Sequence, residues 1–207
     1  FLDFYAGTGD PDLGTIIPNR MFRNSNGRNF QDVTTSGGFG HLQKGHGIAF
    51  ADLDNDGDQD VYEDMGGAYS GDNYRNALYE NPGHGNHWIT LRLEGVQSNR
   101  MAIGARIKVT VATTDGERRI FRTVCSGGSF GASPLRQEIG LGQAESIKTI
   151  EVFWPVSGKT QIFQNVAMDR FWKLREGDSA LSPVELRTLA FSKGADGKSV
   201  HHHPEGH

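Results

Sequence analysis

An acidic run of nine residues carries the side chains best suited to chemistry. Aspartates stand at its first, third, fifth, seventh and ninth positions, with Gly57 at the sixth: Asp52, Asp54, Asp56, Asp58 and Asp60. In a tight loop, carboxylates at positions one, three, five and nine turn their oxygens inward, and the seventh residue offers its backbone carbonyl. This is the oxygen-rich donor set that Ca²⁺ takes. The run therefore predicts a calcium loop with these five residues as ligands, Asp58 through its main chain.

The acidic run has three other interpretations. Mg²⁺ demands compact octahedral geometry and holds its waters, so the donor set favours calcium. A solvated acidic turn without an ion is a second alternative. Glu63, at the twelfth position, also completes the EF-hand pattern, but an EF-hand needs a helix on each side. The flanking segments 45–51 and 61–67 are short, glycine-punctuated and strand-like. They favour a β-hairpin closed by Asp60, with Glu63 outside the ligand set.

The sequence repeats itself at an offset of 57 residues without a gap. The matched pairs are Asp3 with Asp60, Tyr5 with Tyr62, Gly9 with Gly66, Gly14 with Gly71, Asn19 with Asn76, and Asn24 with Asn81. Met21 and Phe22 meet the similar pair Leu78 and Tyr79. Asp3 thereby corresponds to the last residue of the acidic run, and we expect it to be the last ligand of an earlier loop.

From Asn86 onward, the pattern changes to alternation of apolar and polar residues. Apolar side chains recur at every second position in several runs: Ile89, Leu91 and Leu93; Ile107, Val109 and Val111; Ile150, Val152 and Trp154. Such alternation is typical of strands with one buried face. About six to eight strands over this stretch predict a small β-sandwich or barrel.

Charge and composition divide the chain and exclude several classes of protein. The net charge of −4 is made of −8 over residues 1–82 and +4 over residues 83–178. We therefore expect two domains with these bounds and a tail at 179–207. No 18-residue apolar run is present, which excludes a membrane-spanning helix. The single cysteine, Cys125, excludes a disulfide framework, and its place at the end of an alternating strand predicts a buried, inert thiol.

The remaining signals concern basic residues and the tail. Arg118, Arg119 and Arg122 alternate along one strand without a nucleic-acid-binding motif, so we expect a solvated face or a surface that meets the acidic domain. Ser182 to Glu185 form a capping box with a proline, which predicts a short helix over about 183–192. Four histidines in the last seven residues could bind a transition metal or lie in a disordered end, and we expect the tail to pack against a partner chain.

Two family resemblances follow from these motifs. The segment Gly47–Asp52 leading into the acidic run, with Asn19–Asn24 and Asn76–Asn81, resembles FG-GAP/VCBS repeats over residues 1–82. In that family each repeat is a β-propeller blade with a calcium loop between two strands, which implies the same five aspartates as ligands. A propeller closes with four to eight blades, so we expect a fragment of one here.

The second resemblance is to the ASPIC/UnbV domain, which follows such repeats in cartilage acidic proteins and their bacterial relatives. It is carried over about residues 84–178 by the ordered pieces Asn86–Trp88, Gly104–Arg106, Gly127–Phe130, Gly140–Gly142 and Trp154–Gly158. The expected fold class is all-β: partial propeller blades with a calcium loop, a small β-sandwich or barrel, and a short helix or tail.

The sequence predicts a calcium-stabilised interaction or adhesion module without enzymatic activity. Extracellular calcium modules work at about 10⁻⁴–10⁻³ M, which favours an extracellular, periplasmic or cell-surface protein. We expect this protein to bind a protein or glycan, and neither to bind nucleic acid nor to span a membrane. Two alternatives stay open. One is an accessory subunit of a larger assembly, and the other is a fragment of a carbohydrate-active enzyme, which would need two facing carboxylates in a cleft.

Overall fold

The fold is all-β in the computed structural model, which describes residues 2–10, 12, 14–67, 69–125, 127–128 and 132–191. Two small sheets come first, in the orders β1-β2-β3 and β4-β5-β6. Their strands are β1 (Phe4–Ala6), β2 (Arg20–Ser25), β3 (Asn29–Asp32), β4 (Gly45–Ala51), β5 (Asp60–Met65) and β6 (Ala77–Tyr79). Neighbouring strands in both sheets are antiparallel. Three-stranded antiparallel sheets of this kind are consistent with partial propeller blades.

The second half of the chain forms two four-stranded sheets. Their strands are β7 (His87–Glu94), β8 (Arg106–Thr113), β9 (Gly116–Thr123), β10 (Gln137–Gly142), β11 (Ser146–Phe153), β12 (Thr160–Gln164), β13 (Phe171–Arg175) and β14 (Ser182–Val184). One sheet has the order β10-β7-β13-β14, with β7 and β13 parallel, and the other has the order β12-β11-β8-β9. The predicted alternation is confirmed, because both sheets bury their apolar faces in one shared core. This part of the chain is hereafter called the β-sandwich.

The β-sandwich core is much larger than that of the blades. Inward side chains such as Ile89, Leu91, Val109, Ile150 and Trp154 are fully buried in it. The blades share a small cluster of Tyr5, Met21 and Val61, with partly buried neighbours around it. Because burial of apolar surface is the main favourable term in folding, the blades have fewer internal contacts to stabilise them than the β-sandwich has.

The strands of the blades follow the predicted repeat. Tyr5 pairs with Met21 between β1 and β2, and Tyr62 pairs with Leu78 between β5 and β6. Both partners shift by the same 57 residues, so the two strand pairs have the same register. The repeat is therefore a structural one.

Two local expectations were wrong. The segment expected to be a helix over about 183–192 has no helix in its described part: β14 pairs with β13, and Pro183 lies opposite Trp172. Proline is tolerated there because β14 is an edge strand, where one side needs no ladder hydrogen bonds. Cys125 is exposed rather than buried, because β9 ends at Thr123 and the chain leaves the sheet. The histidine-rich end, including His201 to His203 and His207, lies outside the described residues.

A buried glutamate links the two blade sheets. Glu63 of β5 is fully buried and accepts a hydrogen bond of 2.7 Å from the Tyr5 hydroxyl of β1 through Oε2, while its Oε1 has no partner among the described residues. Burial raises the pKa of Glu63, and the Tyr5 hydrogen bond opposes that rise only in part. The folded state therefore holds a proton on Glu63 at pH values where the unfolded chain has lost it.

We expect this proton to appear in the pH dependence of stability. A carboxyl with a raised folded pKa costs stability as pH rises from its ordinary value of 4.5 toward the folded pKa. Glu63→Gln, which keeps the shape without the titration, gains stability relative to the wild type over that window. Denaturant unfolding across a pH series measures this, with the exposed neighbour Asp64→Asn as control. Parallel curves for Glu63→Gln and wild type would contradict the assignment.

No helix in the described ranges is long and apolar enough to cross a membrane.

Candidate metal centre

The acidic loop connects two antiparallel strands. Ala51 at the end of β4 pairs with Asp60 at the start of β5, and residues 52–59 form the connection. Gly57, at φ 100°, and Asn55, at φ 61°, take the left-handed backbone conformations that the tight turn requires. Since strands flank the loop on both sides, the EF-hand alternative is wrong and the β-hairpin loop is confirmed.

Three carboxylates of the loop converge. One oxygen from each of Asp52, Asp54 and Asp56 lies within 4.8 Å of the others, with the first two residues buried and Asp56 exposed. The Asp56 amide donates to Asp52 Oδ1 at 3.0 Å and to Asp54 Oδ1 at 3.2 Å, and the Gly57 amide donates to Asp52 Oδ2 at 3.2 Å. These backbone donors hold the carboxylates turned into the loop.

Asp58 and Asp60 lie outside this three-residue group. The two oxygens of buried Asp60 accept hydrogen bonds from the amides of Leu53, at 3.0 Å, and Asn81, at 2.9 Å, so its carboxylate closes the ends of the loop. An ionised carboxylate has about four lone-pair positions, which leaves capacity for a ligand bond as well. Asp58 donates its amide to Asp56 Oδ1 at 2.9 Å.

The repeat reproduces the closing contacts. The Asn24 amide donates to Asp3 at 2.7 Å, as the Asn81 amide donates to Asp60 at 2.9 Å. The side-chain amide of Asn24 also donates to the Leu2 carbonyl, as that of Asn81 does to Gln59. Asp3 therefore has the structural position of Asp60, which is what the sequence alignment of the repeat predicts.

The electrostatics of the loop disfavour bare negative charge. Burial raises the pKa of Asp52 to about 6, against the lowering effect of the Arg136 guanidinium and together with the raising effect of Glu138. Burial and then the charge of Asp56 raise the pKa values of both Asp54 and Asp58. Ionising these carboxylates without a cation is costly. A divalent cation between them would stabilise their ionised forms. The donor set, all oxygen and of high negative charge, fits Ca²⁺.

The β-sandwich contacts the loop through an arginine and a glutamate. Arg136, just before β10, donates to the Asp52 carbonyl and to Asn55 Oδ1, the latter at 2.9 Å. Glu138 accepts hydrogen bonds from the Asp52 amide at 3.1 Å and from the Gln59 side chain at 2.9 Å. The two β-sandwich residues are themselves paired at 2.7 Å.

An aromatic side chain and the last described segment complete these contacts. The indole of Trp88 packs against the backbone of Gly57 and lies edge-on to Phe171 at 4.8 Å. Beyond β14, the Leu189 amide donates to the Asp54 carbonyl at 2.7 Å, and Thr188 donates to the Asn55 carbonyl at 3.3 Å. A cleft of about 350 Å³ opens beside the loop, lined by residues that include Asp56, Trp88, Phe171 and Glu185.

The sequence located the loop but missed the residues that surround it. Among the described residues, the arginines singled out on β9 make no hydrogen bond or ion pair with the loop: Arg118 donates to the Leu141 carbonyl, Arg122 donates to the Phe121 carbonyl, and Arg119 is exposed. A basic side chain does meet the acidic loop, but it is that of Arg136. Its only sequence signal was the excess positive charge of residues 83–178 beside the excess negative charge of residues 1–82.

Comparison with known proteins gives two matches along the chain. Residues 1–63 match the family model of the FG-GAP-like repeat, and residues 95–181 match that of ASPIC and UnbV. A search of curated proteins gave no match. The chain is therefore an FG-GAP-like repeat segment followed by an ASPIC and UnbV domain.

Proposed function

We propose that the acidic loop binds Ca²⁺ and that the chain is a calcium-stabilised, non-enzymatic interaction module of an exported protein. The observation that carries the calcium assignment is the convergence of Asp52, Asp54 and Asp56 within 4.8 Å on a hairpin loop of an FG-GAP-like repeat. These three would supply side-chain oxygens, Asp58 its main-chain carbonyl, and Asp60 a carboxylate oxygen beside its two backbone hydrogen bonds.

Calcium would stabilise the blade hairpin rather than perform chemistry. Binding to the folded state alone adds stability with the logarithm of the free calcium concentration. Because the blade core is small, a bound ion would contribute a large part of the free energy that holds strands β4 and β5 together. The millimolar calcium outside cells suits an exported module.

The interaction role is supported by exposed apolar surface on the first sheet. Phe4 stacks on Phe22 at 4.7 Å and lies edge-on to Phe30 at 5.0 Å, and both Phe4 and Phe30 are substantially exposed. Exposed hydrophobic groups of this kind mark sites of protein interaction when they form a contiguous patch. The same surface suits the alternative role, an accessory subunit of a larger assembly.

Calcium titration followed by thermal unfolding tests the assignment. At a free calcium concentration one hundred times the dissociation constant, we expect about 2.7 kcal/mol of added stability and a higher Tm. Asp54→Ala and Asp56→Ala each abolish most of that shift, because each removes a converging carboxylate. Asp115→Asn, on an exposed turn of the β-sandwich, is the control and keeps the full shift. A wild-type Tm that does not respond to millimolar calcium would refute the proposal.

A further inference from the structure

The acidic loop is tied to the β-sandwich by three side chains that form a latch, defined here as Asn55, Arg136 and Glu138. Asn55 lies between two of the converging carboxylates and belongs to the loop, whereas Arg136 and Glu138 belong to the β-sandwich. Glu138 is almost fully buried, with 2 % of its side chain exposed. A buried, fully engaged polar group of this kind fixes its partners in one geometry.

Asn55 is fixed by both of its side-chain groups. Its Oδ1 accepts from Arg136 Nη1 at 2.9 Å, and its Nδ2 donates to the Arg187 carbonyl at 3.1 Å. Its backbone is left-handed, at φ 61°, a conformation that most residues avoid. The two hydrogen bonds therefore hold the turn between Asp54 and Asp56 from two sides, one in the β-sandwich and one in the C-terminal segment.

Glu138 holds both ends of the loop. Its Oε2 accepts from the Asp52 amide at the start of the loop and from the Gln59 side chain near its end. Its Oε1 accepts from Arg136 Nε at 2.7 Å. The pairing joins the Glu138 contacts to the Asn55 contacts, so the latch spans the whole loop.

We propose that the β-sandwich is a working part of the calcium site, with Arg136 and Glu138 acting as positioning residues that preorganise the loop. The inference rests on the proposed calcium function and adds a linkage between the two parts of the chain. Residues around metal ligands orient those ligands, and replacing them costs about 10–100-fold in metal affinity. Because linkage is reciprocal, calcium binding also stabilises the contacts of the β-sandwich and of segment 187–189 with the loop.

Calorimetric titration of Ca²⁺ into the intact chain tests the positioning role. Arg136→Gln and Asn55→Gly are each expected to weaken calcium binding by about 10–100-fold. Glycine at position 55 adopts the left-handed backbone without strain, so that variant removes the two side-chain hydrogen bonds and leaves the backbone conformation allowed. The control is Arg175→Gln, an exposed arginine whose partners Glu94 and Asp178 lie in the β-sandwich. It is expected to bind calcium as the wild type does.

The sign of the change separates the latch from simple electrostatics. If Arg136 acted only as a positive charge near the ion, its removal would tighten calcium binding. The inference would be overturned if calcium binding were tighter or unchanged in Arg136→Gln and unchanged in Asn55→Gly. The calcium function would still be upheld in that case, provided that the wild type binds calcium. Absence of wild-type binding would instead refute the calcium function itself.

Amide hydrogen exchange supplies a second readout, independent of affinity. Calcium is expected to slow exchange of the Leu189 amide, which donates to the Asp54 carbonyl, in the wild type and in Arg175→Gln. The slowing is reduced in Asn55→Gly at calcium concentrations that saturate both proteins. If calcium slows exchange only within residues 52–60, the linkage to the C-terminal segment is wrong.

Discussion

Gly57→Ala is expected to destabilise the folded chain by about 3 kcal/mol or more and to abolish calcium binding at millimolar concentration. Two costs add at this position. The backbone φ of 100° lies outside the region open to residues with a Cβ, which costs about 1–3 kcal/mol. A Cβ at Gly57 would also overlap the Trp88 indole, and overpacking of this kind costs about 1–3 kcal/mol. Denaturant unfolding measures the loss of stability, and calcium titration measures the loss of calcium binding.

A matched glycine separates the two costs. Gly116 has a similar φ of 112°, but a Cβ there meets no atom of the described residues within 4 Å. Gly116→Ala therefore carries the backbone cost alone and is expected to leave calcium binding intact. Trp88→Ala combined with Gly57→Ala should recover the part due to the collision, as a double-mutant cycle resolves. Equal destabilisation by Gly57→Ala and Gly116→Ala would show that the Trp88 contact carries no strain.

The features predicted correctly from the sequence are those with a local or periodic signal. Tyr5 and Tyr62 could be matched because a repeat preserves spacing, and the structure gives them equivalent strand partners. The β-hairpin at the acidic loop followed from glycines and short apolar runs near Ile48 and Val61. Alternation predicted the inward face of β8 because side chains of a strand point to opposite faces in turn.

The residues that surround the loop had no such signal. Glu138 and Arg136 are about 80 residues from the loop in sequence, and Leu189 is further away still. An arginine and a glutamate two positions apart at the start of a strand usually indicate a solvated pair, and nothing local distinguishes this pair from one. Their role depends on how the β-sandwich packs against the blades. That packing is determined by contacts between residues that are far apart in sequence.

The mistaken helix has a specific physical cause. Ser182 and Glu185 have the spacing of a capping box, which needs the following residues to remain helical. The open edge of β13 offers backbone partners to residues 182–184 instead. The loop then offers the Asp54 carbonyl to Leu189. Tertiary hydrogen bonds outweigh a local motif whose worth is about 1 kcal/mol.

A buried carboxylate, that of Glu176, links three connections of the β-sandwich. No motif or periodicity in the sequence indicates this role. Glu176, directly after β13, accepts hydrogen bonds through Oε2 from three successive amides, those of Val96, Gln97 and Ser98, at 2.7–2.8 Å. Its Oε1 accepts from the hydroxyls of Ser98 and Ser157. Burial opposes ionisation, but the hydrogen bonds from Ser157, Val96 and Ser98 outweigh it and lower the pKa of Glu176 to about 2.

Glu176→Gln is expected to destabilise the folded chain by about 3 kcal/mol at neutral pH. The amide keeps the shape but loses the charge that strengthens the hydrogen bonds, each worth about 1.5–3 kcal/mol when one partner is ionised and not fully additive. Because the folded pKa is depressed, the stabilisation by Glu176 is present above pH 4.5 and disappears as pH falls toward about 2. The difference in unfolding free energy between wild type and variant should therefore shrink over that interval.

Glu94→Gln, whose carboxylate is on the surface and paired with Lys173, is the control with a small effect at neutral pH. A Glu176→Gln deficit that stays constant down to pH 2 would show that the charge on this carboxylate does not stabilise the fold.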